Sequence, residues 1–178
     1  MNDLSMHLLD IVQNSISAGA RLIVIGIDED IEGDVLTMSV EDNGKGMTEE
    51  QVRKLSDPFF TSRTTRKVGM GIPLLKHTAE QCGGNVKIES EAGKGTKVVA
   101  AFGYSNIDRP PLGDFVNAVI LSIAANPSLD FVLNYSRNGD EYEFKTSDVR
   151  EVFGDKALEN ISLVKKVEQM IQDNISEM

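Results

Sequence analysis

The stretch VEDNGKGM, from Val40 to Met47, places a carboxylate at the end of a predicted strand and then two glycines in one turn. The preceding run VLTMSV alternates well enough for a half-buried strand, so Asp42 lies where that strand gives way to a loop. Strand ends that open into loops are common places for ligand-binding side chains. Asn-Gly is also a strong tight-turn signal, and this stretch alone fits a surface turn equally well.

Composition limits the classes of protein that the chain can belong to. The 178 residues have the mixed composition of a soluble globular protein of one domain, alone or with a smaller annex. No apolar run reaches the roughly 20 residues of a membrane span, and the first ten residues, MNDLSMHLLD, lack the basic start of a secretory signal. We therefore expect a cytoplasmic protein without membrane contact. One cysteine and two histidines supply neither a disulfide nor a zinc site, and the net charge of −10 disfavours nucleic acid as a partner.

The predicted elements divide the chain into two parts. Residues 1–103 are expected to contain a helix, two strands, a short helix from Thr48, a long polar loop, a helix that stops at Gly83, and a hairpin. Thr48 and Gln51 are expected to form a capping box at the start of the short helix. Residues 104–111 have the composition of a linker. Residues 112–178 are expected to form a small α/β annex of unknown role: a helix, a hairpin about Asn138-Gly139, and a long closing helix.

One side of the closing helix carries an apolar stripe. The apolar residues of this stripe recur every three or four positions, so they share one face of the helix. We expect this face to pack on the hairpin of the annex, and a dimer or partner surface is the alternative. The stripe consists of Ile161, Val164, Val167 and Ile171.

Three further motifs combine polar groups at spacings that suit ligand binding. DIVQN on the first helix places Asp10 four residues before Asn14, so a carboxylate and an amide share one helix face. TSRTTRK combines hydroxyls and cations beside the helix start at Gly71, where free amides would suit phosphate. GKGT, residues 93–96, follows later. Taken singly, these motifs also fit a solvated helix face, a solvated basic loop and a hairpin turn.

In their order and spacing, these motifs resemble the ATP-binding domain of the GHKL superfamily, which includes DNA gyrase, heat-shock chaperones, histidine kinases and mismatch-repair ATPases. DPFFTSR and GMGIPLLKHTAEQCGGNVKIESEAGKGTKV are most similar to the histidine-kinase branch, whereas QNSISAGA resembles the mismatch-repair version of the asparagine motif. The resemblance covers residues 1 to about 103. It implies an α+β fold of the Bergerat type, a two-layer α/β sandwich with a mixed sheet and helices on one face.

The resemblance also implies a site for ATP or ADP with Mg²⁺. Asp42 would accept a hydrogen bond from the exocyclic amine of adenine, which discriminates against guanine because a carboxylate cannot donate to its carbonyl oxygen. Thr96 would support the same base. Asn14 would bind Mg²⁺ through its amide oxygen, and Asp10 would be the catalytic base. The other implied nucleotide contacts are Gly44 and Gly46, which would let the backbone approach the base, and Met47, Phe60, Arg63, Lys67, Gly69, Met70 and Gly71.

Two positions depart from the pattern of the superfamily. Its hydrolysing members carry a glutamate one helical turn before the asparagine, where this chain has the shorter Asp10. The glycine motif has Lys67 in place of its usual first glycine, and Pro73 follows in the first turn of the helix, where proline is tolerated. His7, one turn before Asp10, fits either a structural role or a place in the site. On the helix from Gly71, Cys82 is expected in the core and His77 is expected to be exposed.

Three functional classes remain open. The chain begins at the asparagine helix without a histidine-bearing dimerisation domain, so the first is a stand-alone protein kinase or phosphotransfer regulator in bacterial-type signalling. It would be similar to the anti-sigma-factor kinases and act on a protein partner in trans. The second is an ATPase conformational switch, and the third is a nucleotide-sensing module without catalysis. A homodimer is compatible with each class.

Overall fold

The computed structural model describes residues 3–56 and 71–178. A two-layer arrangement of one sheet and its covering helices is built from these residues. The helices are α1 (Leu4–Ser17), α2 (Glu49–Ser56), α3 (Gly71–Gln81), α4 (Phe115–Ala125), α5 (Thr146–Phe153) and α6 (Ile161–Ser176), with a short 3₁₀ turn at Ala157–Glu159. The strands are β1 (Leu22–Asp30), β2 (Val35–Asp42), β3 (Asn85–Glu91), β4 (Gly95–Gly103), β5 (Asp130–Arg137) and β6 (Asp140–Lys145).

The strands form a single mixed sheet in the order β3-β4-β2-β1-β5-β6. Four neighbouring pairs are antiparallel, and β1 and β5 run parallel. At the centre of the sheet, Ile25 lies opposite Val40 of β2 and Leu133 of β5. The mixed sheet and the α+β class predicted from the sequence are therefore confirmed.

The hydrophobic core lies between one face of the sheet and the helices. Along β1, Ile23, Ile25 and Ile27 are buried, whereas Val24 and Asp28 point to the other, open face. This alternation is what a strand with one covered face requires. Helix α1 packs on β2 and on α4 through its apolar side, so the site residues predicted on α1 are carried by a helix that is held against both the sheet and another helix.

Local signals in the sequence form as predicted. Helix α2 begins with a capping box, in which the Thr48 amide donates to Gln51 Oε1 (2.9 Å) and the Gln51 amide donates to Thr48 Oγ1 (3.2 Å). The turn between β5 and β6 has positive φ at Asn138 (49°) and Gly139 (89°), the conformation that favours Asn-Gly in tight hairpins.

The C-terminal segment differs from the small annex that the sequence led us to expect. Strand β5 pairs with β1 from Leu22 opposite Asp130 to Glu29 opposite Arg137, so the hairpin extends the sheet of the first 103 residues. Helix α5 stands between the hairpin and the closing helix and was not predicted. The division of the chain at residues 104–111 stays a prediction about folding units.

The closing helix α6 buries most of the predicted stripe. Val164, Val167 and Ile171 are buried, whereas Ile161 is exposed. The helix packs mainly on α4 and the 3₁₀ turn, with a smaller contact with β6. The predicted stripe is therefore covered chiefly by a helix rather than by the hairpin.

The segment predicted as a linker is tied to the sheet. The Tyr104 amide donates to the Asp34 carbonyl (3.0 Å), and the Ser105 amide donates to Asp34 Oδ1 (2.8 Å). Arg109 donates from Nε to the Tyr104 carbonyl (2.7 Å) and lies 5.1 Å from the centre of the Tyr104 ring. None of the helices among the described residues is long and apolar enough to span a membrane.

Candidate nucleotide-binding site

A cavity of about 250 Å³ opens between the C-terminal half of α1, the end of β2, the loop after it, and the starts of α3 and β4. Most of its lining surface is apolar, and its polar side chains come from α1, from Asp42 and the loop after it, and from β4. Four residues predicted for nucleotide binding meet here: Asn14, Asp42, Met47 and Thr96. The other lining residues are Ile11, Ser15, Ser17, Ala18, Val40, Lys45, Leu55, Ile72 and Val98.

The Asp42 carboxylate is held by two protein donors. Its Oδ2 accepts a hydrogen bond from Ser15 Oγ (2.6 Å), and its Oδ1 accepts from the Gly44 amide (2.8 Å). Ser15 is 2% exposed. Each carboxylate oxygen thus has one protein donor, and Asp42 lines the cavity, where an amine could donate to its remaining lone pairs.

Ser15 is a site residue that the sequence analysis missed. The signal was a hydroxyl directly after Asn14 on the helix, within the motif QNSISAGA. Its partner lies on β2, 27 residues further along the chain, so the contact becomes visible only when α1 packs against the end of that strand.

The glycines of the motif bring two loops into contact. A Cβ at Gly46 would lie 2.0 Å from the Glu91 carbonyl oxygen, and one at Gly95 would lie 1.9 Å from the Asp42 carbonyl oxygen. The Gly93 amide donates to the Lys45 carbonyl (2.6 Å). The turn between β3 and β4 therefore packs backbone to backbone on the loop after β2. The close approach seen at Gly46 is to protein, and the predicted approach of this glycine to the base stays a prediction.

Ser90 joins the same two loops and was not predicted. Its Oγ accepts from the Met47 amide (2.8 Å), donates to the Gly95 carbonyl (2.9 Å) and lies 2.8 Å from Thr96 Oγ1. Thr96 is directly opposite Asp42 in the pairing of β2 with β4. The predicted pair of Asp42 and Thr96 thus shares one end of the cavity, which we call the adenine end.

Asn14 lines the cavity at its other side, and Asp10 and Gly71 directly precede the lining residues Ile11 and Ile72. We call Asp10, Asn14 and Gly71 the phosphate end. A Cβ at Gly71 would lie 2.7 Å from Asp10 Oδ2, so the carboxylate rests against the start of α3. Asp10 is not among the residues that line the cavity itself. Partial burial raises the pKa of the Asp10 carboxyl above its ordinary value, which suits a group that must take up a proton.

The oxygen ligand available at the phosphate end fits a magnesium ion that is bound together with a nucleotide. The Asn14 side chain forms no hydrogen bond within residues 3–56 and 71–178, so its amide oxygen is available as a hard ligand. No group of three or more His, Cys, Asp or Glu residues in these ranges could hold a metal ion. An ion here would take one protein oxygen from Asn14 and complete its shell with water and phosphate.

The remaining predicted contacts lie outside the described residues. They are Phe60, Arg63, Lys67, Gly69 and Met70, and they stay predictions.

The two histidines and the cysteine singled out from the sequence do not line the cavity. His7 is buried, and its Nε2 lies 3.4 Å from Thr78 Oγ1 on α3. Its Nδ1 has no partner within the ranges that the structure describes, and burial lowers the pKa of the imidazole. His7 does not line the cavity. Cys82 is buried in the core and His77 is exposed, both as predicted.

A mixed sheet covered by helices on one face, with an Asp-x-Gly-x-Gly loop at the mouth of an apolar cavity, defines the ATP-binding domain of the GHKL class. Residues 2–105 match the family described as histidine kinase-, DNA gyrase B-, and HSP90-like ATPase. The chain belongs to this family, whose domains bind ATP or ADP.

Curated relatives share this domain with the chain. Over 95 residues the chain is 32% identical to "Sporulation kinase C" of Bacillus subtilis. This alignment covers 53% of this chain and 22% of that protein. The chain is 35% identical over 94 residues to "Sensor histidine kinase ZraS" of Klebsiella oxytoca, and that alignment covers 52% of this chain and 20% of that protein. The match thus spans about a fifth of each relative's length.

Solved structures extend the likeness of fold into the C-terminal segment. The ATPase domain of Aquifex aeolicus MutL complexed with ADP aligns with a TM-score of 0.54 at 19% identity, over 86% of this chain and 69% of that one. The N-terminal domain of a DNA repair protein aligns with a TM-score of 0.54 at 17% identity, over 88% and 59%. At these identities the likeness concerns the fold.

Proposed function

We propose that this chain binds Mg-ATP with the adenine ring in the 250 Å³ cavity. The observation that carries the proposal is the Asp42 carboxylate, which is oriented by Ser15 and Gly44 and opens onto an otherwise mostly apolar pocket. An ionised carboxylate accepts from the amine of adenine and repels the carbonyl oxygen of guanine. Asn14 would hold Mg²⁺ beside the phosphates, while Arg63, Lys67 and the residues around Gly69 would contact the phosphate chain.

We further propose that the bound nucleotide serves phosphotransfer to a protein partner in trans, in bacterial-type signalling. Two relatives whose nucleotide domains match this chain carry the name kinase, and this supports the proposal. Asp10 would act as the base, because its carboxyl has a raised pKa and lies against the start of α3.

An ATPase conformational switch is the second candidate, and the same carboxylate favours it. Asp10 forms no hydrogen bond within residues 3–56 and 71–178, so it is available to orient a water molecule as well as a hydroxyl of a partner. A nucleotide-sensing module without catalysis is the third reading, in which Asp10 does no chemistry.

ATP labelled at the γ-phosphate separates these functions. The purified chain is incubated with labelled Mg-ATP, with and without extract of its own cells, and label is followed on proteins and as free phosphate. The first proposal predicts label on a partner protein, the second predicts free phosphate from the chain alone, and the third predicts neither. The Asp42→Asn variant is the control, because its weaker nucleotide binding should reduce any label that depends on this cavity when ATP is kept below saturation. Label that persists at full level in that variant would overturn the assignment of the cavity.

A further inference from the structure

A second cavity, of about 590 Å³, lies between the end of α5 and the start of α6. We call it the α5–α6 groove and define it by Phe153, Lys156, Ala157, Leu163 and Lys166. It shares no residue with the adenine cavity. Nothing in the nucleotide chemistry proposed above uses it.

The groove presents large apolar side chains to water. Phe153, in its wall, is 62% exposed. Val152 and Ile161 are each 73% exposed and adjoin lining residues in the sequence. Ala157 is buried and Leu163 is half-buried in the same lining. A large apolar side chain left exposed in the wall of a groove, with two more next to its lining residues in the sequence, is typical of an interaction surface.

The charges of the groove are positive in a chain that is acidic overall. Lys156 and Lys166 line it and are exposed, and neither forms an ion pair within residues 3–56 and 71–178. Asp155 is the one acidic residue in the described lining, whereas the whole chain carries a net charge of −10. The two ammonium groups are therefore available to a ligand and would attract carboxylates.

We propose that the α5–α6 groove binds an acidic segment with bulky apolar side chains from a protein partner. Phe153 would be the apolar anchor, and the two lysines would contact carboxylates on either side of the bound side chains. The assignment of this groove to the partner that acts in trans rests on the proposed function. The peptide contact itself does not require a nucleotide.

A random peptide library displayed on phage tests the proposal with the full chain immobilised without nucleotide. The expected result is enrichment of peptides that combine Asp or Glu with Leu, Phe or Trp. An enriched peptide is then synthesised and its affinity measured by fluorescence anisotropy. The Phe153→Ser variant and the Lys156→Glu/Lys166→Glu double variant should each weaken binding about tenfold or more. Selection repeated on the double variant should favour Lys- and Arg-containing peptides.

Two matched variants control for general effects of the substitutions. Leu121→Ser removes an apolar side chain that is 54% exposed on α4, and Lys165→Glu reverses the charge next to Lys166 but outside the groove lining; both should bind the peptide as the parent does. Asp42→Asn should also retain peptide binding, so failure of the nucleotide proposal and failure of this one are distinguishable.

Three results would overturn the proposal. The first is no enrichment over the uncoated support. The second is enrichment of peptides without acidic residues, or of peptides that bind the Phe153→Ser variant equally well. The third is self-association of the parent chain that Phe153→Ser abolishes, because a second copy would then be the occupant of the groove.

Discussion

The two ends of the nucleotide cavity differ in how their polar groups are satisfied. At the adenine end, both oxygens of Asp42 accept hydrogen bonds from protein donors, and Ser90 bonds the neighbouring loops to each other. At the phosphate end, the side chains of Asp10 and Asn14 form no hydrogen bond within residues 3–56 and 71–178. At the adenine end the Asp42 carboxylate is already oriented by protein hydrogen bonds without a ligand. At the phosphate end the side-chain oxygens of Asp10 and Asn14 remain available to water, metal or nucleotide. Substitutions at the two ends should therefore change different measured quantities.

The largest effect is expected from Asp10→Asn at the phosphate end. This change keeps the size of the side chain but removes its ability to take up a proton, so turnover should fall about 10²–10⁴-fold. Nucleotide affinity should remain close to that of the parent. Steady-state phosphate release and partner labelling at saturating ATP measure the first quantity, and calorimetry with ADP measures the second.

Asp108→Asn is the matched control for that experiment, because Asp108 is exposed and lies outside both ends of the cavity. It should retain the parent's turnover. If Asp10→Asn also retains full turnover, Asp10 is a solvated helix residue and the phosphate end contains no base on α1.

The pH dependence of turnover sharpens the same assignment. A general base acts as the ionised form, and partial burial raises the pKa of the Asp10 carboxyl. The parent's turnover should therefore be complete above that raised pKa and fall as the pH decreases through it, at a higher pH than an ordinary aspartate would give. The residual turnover of Asp10→Asn should lack this decrease. A profile with the same acidic limb in both proteins would assign the limb to another group.

Asp42→Asn at the adenine end should reduce affinity rather than turnover. An amide in place of the carboxylate loses a charge-assisted acceptor, at a cost of about 1.5–3 kcal/mol, so ADP should bind at least about tenfold more weakly. Glu41→Gln is the control, since Glu41 precedes Asp42 on the same strand and points to the open face of the sheet. If calorimetry finds unchanged ADP binding in Asp42→Asn, the assignment of the adenine ring to this end of the cavity is wrong.

Asn14→Ala tests whether the phosphate end uses a metal ion. Loss of the amide oxygen should weaken nucleotide binding in the presence of Mg²⁺ by roughly five- to tenfold, with a smaller effect in the presence of EDTA. Titrations of ADP under both conditions measure the difference. Equal losses with and without Mg²⁺ would indicate that Asn14 contacts the nucleotide directly and holds no metal.

The sequence predicted those features whose causes are local. The capping box of Thr48 and Gln51 and the hairpin turn at Asn138-Gly139 depend on residues at most three positions apart, and both form as predicted. The motif at Asp42 likewise lies within one strand end and its loop. A structural feature or motif that depends only on residues close together in the sequence can be predicted before the fold is known.

Features that depend on distant residues could not be predicted in this way. The parallel pairing of β1 with β5 joins residues about 108 apart, and no local pattern distinguishes it from an annex hairpin that stands alone. Helix α5 was missed because it has only eight residues, of which Val149 is the one buried large apolar side chain, so its periodicity is weak. The bond from Ser15 to Asp42 depends on packing between α1 and β2 for the same reason.

The smallest effect is expected from Ser15→Ala, which tests the organisation of the adenine end itself. The change removes one of two donors to the Asp42 carboxylate while the Gly44 amide remains. The carboxylate should lose part of its orientation, and ADP affinity should fall by about 0.5–1 kcal/mol, or about two- to fivefold. Turnover at saturating ATP should stay unchanged, because Asp10 and Asn14 are untouched. Ser122→Ala is the control, since Ser122 is also buried but its hydroxyl donates within its own helix, to the Ala118 carbonyl. If Ser15→Ala instead lowers turnover and leaves ADP affinity unchanged, the two ends of the cavity do not act separately, because a hydroxyl that bonds Asp42 would then control events at Asp10.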